Sequence, residues 1–379
     1  MIIIKNGKIH NAIEKEPKIA DILIDNGKII KIEENINEEA TIIDASGLDI
    51  YPGFIVAHAH LGLDGHGIGF ERADYNEMGN TISSELRAID AFNPLDPTIK
   101  EAALAGVTCV GTGPGSANVL GGTFIAVKTK GTRVDDMIVR NHVAMKCAFG
   151  ENPKRCYREK GNGTRMTTAA NLRNALYKAK EYLAKKEAAG DDIFKKPAFD
   201  PKMEGLIPVI KKEIPLKAHA HTADDMFTAI RIAKELDVNI TLEHCTEGHL
   251  IAEQLAAENI PLAVGPSLTA ASKFELKDKS FTTPGILAKL GAQVSIITDS
   301  PVIPQPYLSL CAGLAVRAGM DEFAALQAIT INPAKHLGIA DRVGSLEVGK
   351  DADIVIVSGH PFEVNHEVKY VFINGEIVE

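Results

Sequence analysis

The order of strand-like and helical segments predicts an α/β protein, a (β/α)8 TIM barrel with a small β-sandwich domain built from both ends of the chain. Three observations lead there. Short β-branched runs with Asn-Gly pairs among them fill the start of the chain and return at its far end. Between them, apolar strand-like runs alternate with helical ones. Histidines or an aspartate then close several of those runs, where a barrel gathers its active site.

At the start, Ile2 to Ile4, Ala20 to Ile24, Lys28 to Ile32 and Ala40 to Ile43 are rich in β-branched residues and read as strands. Asn6-Gly7 and Asn26-Gly27 fall between such runs, and Asn-Gly is the pair that a tight two-residue hairpin prefers. The same grammar closes the chain: Ala352 to Val357 and Lys369 to Ile373 are strand-like, and Asn374-Gly375 turns into Glu376-Ile377-Val378. The two ends are expected to pair, giving a sandwich from residues 1–52 and 340–379 around a barrel at 53–339.

Within the barrel, Gly106 to Gly111 (GVTCVG) has the composition of a buried strand. Thr167 to Ala189 reads as a long helix, with Leu172, Leu176 and Leu183 on its apolar stripe. Leu216 to His221, Asn239 to His244, Pro261 to Val264 and Ala292 to Thr298 read as further strands. Helices are expected at Asp224 to Leu236, from Glu247 and from Pro284. This alternation implies a parallel sheet. The Pro/Gly/Asn-rich segments 93–96, 113–122 and 150–163 read as long loops over one barrel face.

Composition excludes several functional classes. At 45% hydrophobic and 24% charged residues over 379 positions, the chain can bury a sizeable core without disulfides. Its five cysteines are odd in number and scattered, with no CxxC pair, which argues against a disulfide framework and a cysteine zinc cluster. The opening MIIIKNGKIH is too short in its apolar run for a signal peptide, and no stretch approaches the ~18 apolar residues of a membrane span. A net charge of −9 makes nucleic acid an unsuitable partner. The expectation is a cytoplasmic enzyme acting on a small molecule, with no membrane or nucleic-acid partner.

The chemistry concentrates at strand ends. His58 and His60, in YPGFIVAHAH, are two apart, so both imidazoles point to one side of the strand and can chelate one divalent ion. His219 and His221 end LKAHAH, His244 ends ITLEH, and Asp299 follows VSIIT. A core histidine bonded to backbone explains any one of these; it explains the set poorly. His66 in LDGHGIG and Asn118 in the glycine-rich tract 113–122 are candidate substrate contacts. That tract lacks the lysine and Ser/Thr of a phosphate-binding loop. Lys154 and Arg155 are candidates to meet an anionic substrate group.

Motifs at both ends and in the middle make a resemblance specific. IKNGKI, DASGLDIYPGFIVAHAH and NPAKHLGIADRVGSLEVGKDADIVIV resemble the amidohydrolase superfamily, closest to its imidazolonepropionase-related group, essentially end to end. The resemblance implies that His58 and His60 bind a first metal, that His219 and His244 bind at strands five and six, and that Asp299 is the general base. It implies a ligand at strand four that bridges two ions. AGVTCVGTGPGSANVLGG followed by AFGENPKR is similar to adenine deaminases and favours Glu151; a carbamylated Lys146, in HVAMKCAFG, is the alternative. His221 suits a substrate-contacting position. The implied cofactor is one or two divalent ions, zinc first, with iron or manganese also fitting. The implied reaction is hydrolysis of a C–N bond in an amide or cyclic amide, by a metal-activated water with Asp299 as base. Deamination of a heterocyclic amine is the alternative, and a non-catalytic binding protein on the same barrel is a third reading. Association into a homo-oligomer is compatible with such a scaffold.

Overall fold

The computed structural model describes all of residues 1–379. Both ends of the chain meet in one eight-stranded sheet, in which Asp49–Pro52 lies between Ile2–Ile9 and Ile354–Ser358. Hydrogen bonds therefore pair the two ends as expected, in one sheet with no separate second layer of ladders. Ile4, Ile22, Ile29, Ile50, Ile354 and Phe372 form its apolar core. Asn26-Gly27 and Asn374-Gly375 are tight turns, with all four residues at positive φ. Asn6-Gly7 is not one. It sits inside the strand Ile2–Ile9 as an irregularity in the ladder to Lys18–Asp25, with Asn6 at φ 59. A left-handed residue absorbs a bulge as well as a hairpin, so the dipeptide alone does not tell the two apart.

The central unit alternates strands and helices. Phe54–Ala59 pairs in parallel with Val107–Thr112, and Met145–Ala148, Leu216–Ala220, Ile240–His244, Leu262–Val264 and Val294–Ile296 form a parallel series. Two departures from the expectation appear. The glycine-rich tract 113–122 is loop only as far as Val119: Leu120–Thr123, and Ile125–Lys128 beyond the tract, are buried strands that run antiparallel to their neighbours. The strands also form a four-stranded and a six-stranded sheet, with no ladder between Val294–Ile296 and Phe54–Ala59, so hydrogen bonding does not close the barrel. One bond, from His60 N–H to the Ser300 carbonyl at 2.7 Å, ties these two strand ends together.

The long helix runs from Arg165 to Ala189, opened by Thr164, whose side chain accepts from Thr167 N–H. It buries Leu172 and Leu176 against the six-stranded sheet. The terminal sheet is fastened to the central unit by a buried charge cluster. Lys128 Nζ lies 2.6 Å from Asp353 and 3.1 Å from Asp351, with all three side chains at most 3% exposed.

Candidate metal centre

The strand ends bring the histidines and the aspartate together. His58 lies fully buried inside Phe54–Ala59 and His60 just beyond its end. His60 Nδ1 is 2.8 Å from the Gly113 carbonyl oxygen, and His244 Nδ1 is 2.8 Å from that of Gly265. A carbonyl oxygen only accepts, so each Nδ1 carries the hydrogen and each Nε2 presents its lone pair. Asp299 Oδ1 is 3.3 Å from His60 Nε2 and 3.5 Å from His58 Nε2.

Two backbone departures aim these groups. Alternation along a strand would send Glu243 and His244 to opposite faces. His244 at φ 76 and Cys245 at φ 45 break that alternation, and both Glu243 and His244 approach the His58 ring. Asp299 is also left-handed, at φ 53. Such conformations cost about 1–3 kcal/mol each at non-glycine residues and concentrate at functional sites.

Donor atoms of His58, His244 and Asp299 lie within 4.8 Å of one another, as do those of His219, His221 and His244. His219 Nε2, His244 Nε2 and Asp299 Oδ1 are buried and have no hydrogen-bond partner. Buried polar atoms are nearly always paired, so unpaired imidazole and carboxylate lone pairs converging on one space are a set that a divalent cation fits. Burial pushes His58, His219 and His221 well below the ordinary imidazole range and His244 down to about 4, which keeps the rings neutral for ligation at pH 7. Burial alone would raise the Asp299 carboxyl; contact with His60 and the other imidazoles outweighs it and holds the group below the usual carboxylate range.

At strand four the structure separates the two candidates. Lys146 is fully buried with Nζ 3.1 Å from His58 Nε2. The Glu151 carboxylate is not brought to the histidines. Glu151 follows Gly150, at φ 81, and begins a short helix with its backbone N–H donating to Glu275 at 2.9 Å. Burial pushes the Lys146 amine down to about 8.

The remaining sequence candidates divide. His221 joins the cluster, with Nδ1 2.7 Å from Thr246 Oγ1 and Nε2 3.8 Å from Glu275. His66 is an exposed loop residue 3.2 Å from Glu101 and does not line the cavity. Asn118 is buried as a loop tie, donating to the carbonyls of Glu77 and Asn80 and to the Tyr157 hydroxyl. Arg155, in contrast, lines the cavity in front of the histidines, a space of about 580 Å³ that it shares with Tyr75, Ser116, Asn152 and Lys273. Tyr75 stacks on His60 at 5.0 Å between ring centroids. Lys273 is paired with Glu275 at 2.5 Å; Arg155 has no anionic partner.

Sequence reasoning missed the layer beneath. Glu243, Lys217 and His336 are buried side by side, with Lys217 Nζ 2.9 Å from Glu243 Oε2 and His336 Nε2 2.9 Å from Oε1. A signal was present for two of them. Lys217 shares the face of His219, two residues on, and Glu243 is a charge in the middle of an apolar strand. For His336, on the helix Ile331–Leu337, nothing local marked it.

Comparison with known proteins supplies the context. The profile described as Amidohydrolase family matches residues 50–378. A crystal structure of an amidohydrolase from Thermotoga maritima MSB8 superposes with a TM-score of 0.96 at 42% identity, covering 100% of both chains. The imidazolonepropionase of Thermoplasma volcanium is 26% identical over 95% of this chain and 90% of its own length. Amidohydrolase tasK of Hapsidospora irregularis is 27% identical over 94% of this chain, which spans only 39% of that protein.

Proposed function

Since the chain belongs to the amidohydrolase family, we propose that it hydrolyses the C–N bond of a small polar amide or cyclic amide, using one or two divalent ions, zinc first, and Asp299 as general base. The observation that carries this reading is the convergence of unpaired lone pairs, His219 Nε2, His244 Nε2 and Asp299 Oδ1, with His219 and Asp299 lining one cavity and His244 clustered with both.

His58, His60, His219 and His244 would hold the metal, with His221 near enough to join them. When bound there, a divalent ion supplies Lewis acidity, polarising the scissile group and lowering the pKa of a water from about 15.7 toward ~7. Lys146 is the strand-four bridge in this reading. Its neutral amine adds to carbon dioxide, the nitrogen lone pair forming the N–C bond and one proton leaving, and the resulting carbamate is an anionic oxygen ligand beside His58. Burial favours that step, because an amine whose pKa is lowered to about 8 is unprotonated in about a tenth of molecules at pH 7, far more than an ordinary lysine. Asp299 accepts the proton of the attacking water at Oδ1 and returns it to the departing nitrogen, a transfer worth roughly 10²–10⁴ in rate. Arg155 faces the substrate and suits a carboxylate on it.

The test is elemental analysis of protein purified without chelator, followed by a screen of cyclic amides, N-acyl amino acids, dipeptides and purines. Bound zinc, iron or manganese together with carboxylate release supports the reading. Ammonia release from heterocyclic amines in place of amide cleavage would move the activity to deamination. Protein that cannot be loaded with metal would end the proposal.

A further inference from the structure

The residues beneath the donor cluster form a charged layer in the most buried part of the protein. Glu243 is 0% and Lys217 1% exposed at their side chains. Every contact of the carboxylate can be followed. Oε1 accepts from Thr241 Oγ1 at 2.7 Å and lies 2.9 Å from His336 Nε2. Oε2 is 2.9 Å from Lys217 Nζ and 3.2 Å from His58 Nδ1. The Lys217 ammonium also stands 5.3 Å from the centroid of the Phe124 ring. A buried ion pair is often no better for stability than well-packed apolar residues, so its presence calls for a role beyond packing.

Comparison among the histidines indicates the role. His60 and His244 have Nδ1 fixed by backbone carbonyls, those of Gly113 and Gly265. His58 has no such carbonyl. Its Nδ1 has no hydrogen-bond partner and lies 3.2 Å from Glu243 Oε2, while its Nε2 faces Asp299 and Lys146. An acceptor at Nδ1 holds the hydrogen there and leaves the Nε2 lone pair for a metal; an anionic acceptor also makes that lone pair a stronger donor.

We propose that Glu243 is a positioning residue that fixes the tautomer and orientation of His58 for metal binding, with Lys217 and His336 holding Glu243 in place and Lys217 balancing its charge. The inference rests on His58 being a ligand, as in the proposed function. It makes the affinity of the His58 site depend on a residue that touches neither metal nor substrate.

The experiment is zinc competition against a chromophoric chelator, with full-length wild type, Glu243→Gln, the double variant Glu243→Leu/Lys217→Met, and Leu242→Ala as a matched destabilised control. The double variant removes both charges together and remains foldable if the single one does not, because no unpaired ion is left at the pair. Thermal melts of the metal-free proteins report folding separately. The expected result is a loss of zinc affinity of about ten- to a hundredfold in both Glu243 variants, with Leu242→Ala losing stability and keeping its affinity. Wild-type affinity in the double variant, or an equal loss in Leu242→Ala, overturns the positioning role while the metal centre stands. A wild type that binds no zinc, iron or manganese overturns the metal centre itself and this role with it.

Discussion

The Lys146 ammonium stops 3.1 Å from His58 Nε2, in a part of the interior where neither side chain has any exposed surface. An ammonium there donates to the lone pair that the proposed metal would need. In the proposed function Lys146 is a carbamate anion instead. Protein incubated with ¹³C-bicarbonate and zinc is expected to show a carbamate carbon resonance that Lys146→Met lacks. Glu151→Gln is expected to keep that resonance and to change stability by no more than about 0.5 kcal/mol.

The same lysine gives a pH signature to the metal-free, uncarbamylated chain. Its pKa is about 8 folded, against an ordinary 10.5. Between those values the unfolded chain holds the proton and the folded one does not, so stability rises with pH across that window. Below about pH 8 the cost of the buried ammonium is present in full. Urea unfolding should show wild type gaining about 3 kcal/mol relative to Lys146→Met from pH 8 to pH 10.5. A constant difference across that range would mean that the amine is not desolvated in the fold.

Asp299 Oδ1 is buried without a hydrogen-bond partner, 3.3 Å from His60 Nε2. Asp299→Asn should therefore still fold and take up metal, with kcat lowered by about 10²–10⁴. Steady-state kinetics on the substrate found by screening decides this; a kcat within a few-fold of wild type would remove Asp299 from the base position.

Arg155 lines the cavity without an anionic partner. For a substrate bearing a carboxylate, Arg155→Met should raise KM about ten- to a hundredfold and leave kcat nearly unchanged, the signature of a lost charged hydrogen bond worth about 1.5–3 kcal/mol. For an uncharged analogue the variant and wild type should have the same KM.

Lys128 neutralises Asp351 and Asp353 across the join between the terminal sheet and the central unit. Removing it as Lys128→Met leaves two carboxylates buried together with one partner fewer. The expected loss is about 3–5 kcal/mol in unfolding free energy, measured by denaturant titration.

The sequence made the His/Asp cluster legible because its members sit at strand ends, where spacing by two residues and a change from apolar to polar character are local signals. His58, His60, His219, His244 and Asp299, singled out in this way, are brought together by the fold. Glu151 and Lys146 are five residues apart, and local motifs favoured Glu151; the fold sets Lys146 Nζ 3.1 Å from His58 Nε2, a contact that the local sequence does not encode. The supporting charges were harder for a different reason. Glu243, Lys217 and His336 come from three elements, and their meeting depends on how the strands and the helix Ile331–Leu337 pack. The fold followed the same division. Alternation of elements was readable, whereas the reversal of Leu120–Thr123 and Ile125–Lys128 was hidden by glycines that look like loop.

The sheet that joins both chain ends also bears on how the protein is made. Asp49–Pro52 leaves the ribosome early, with Ile2–Ile9 ready on one side, but the strand that covers its other edge is Ile354–Ser358. Residues 53–353 must be translated in between. During that interval a nascent chain carries an unpaired strand edge, the feature that invites pairing with other chains. An early strand is thus among the last to be fully paired, and its assembly is tied to the synthesis of Ile354–Ser358.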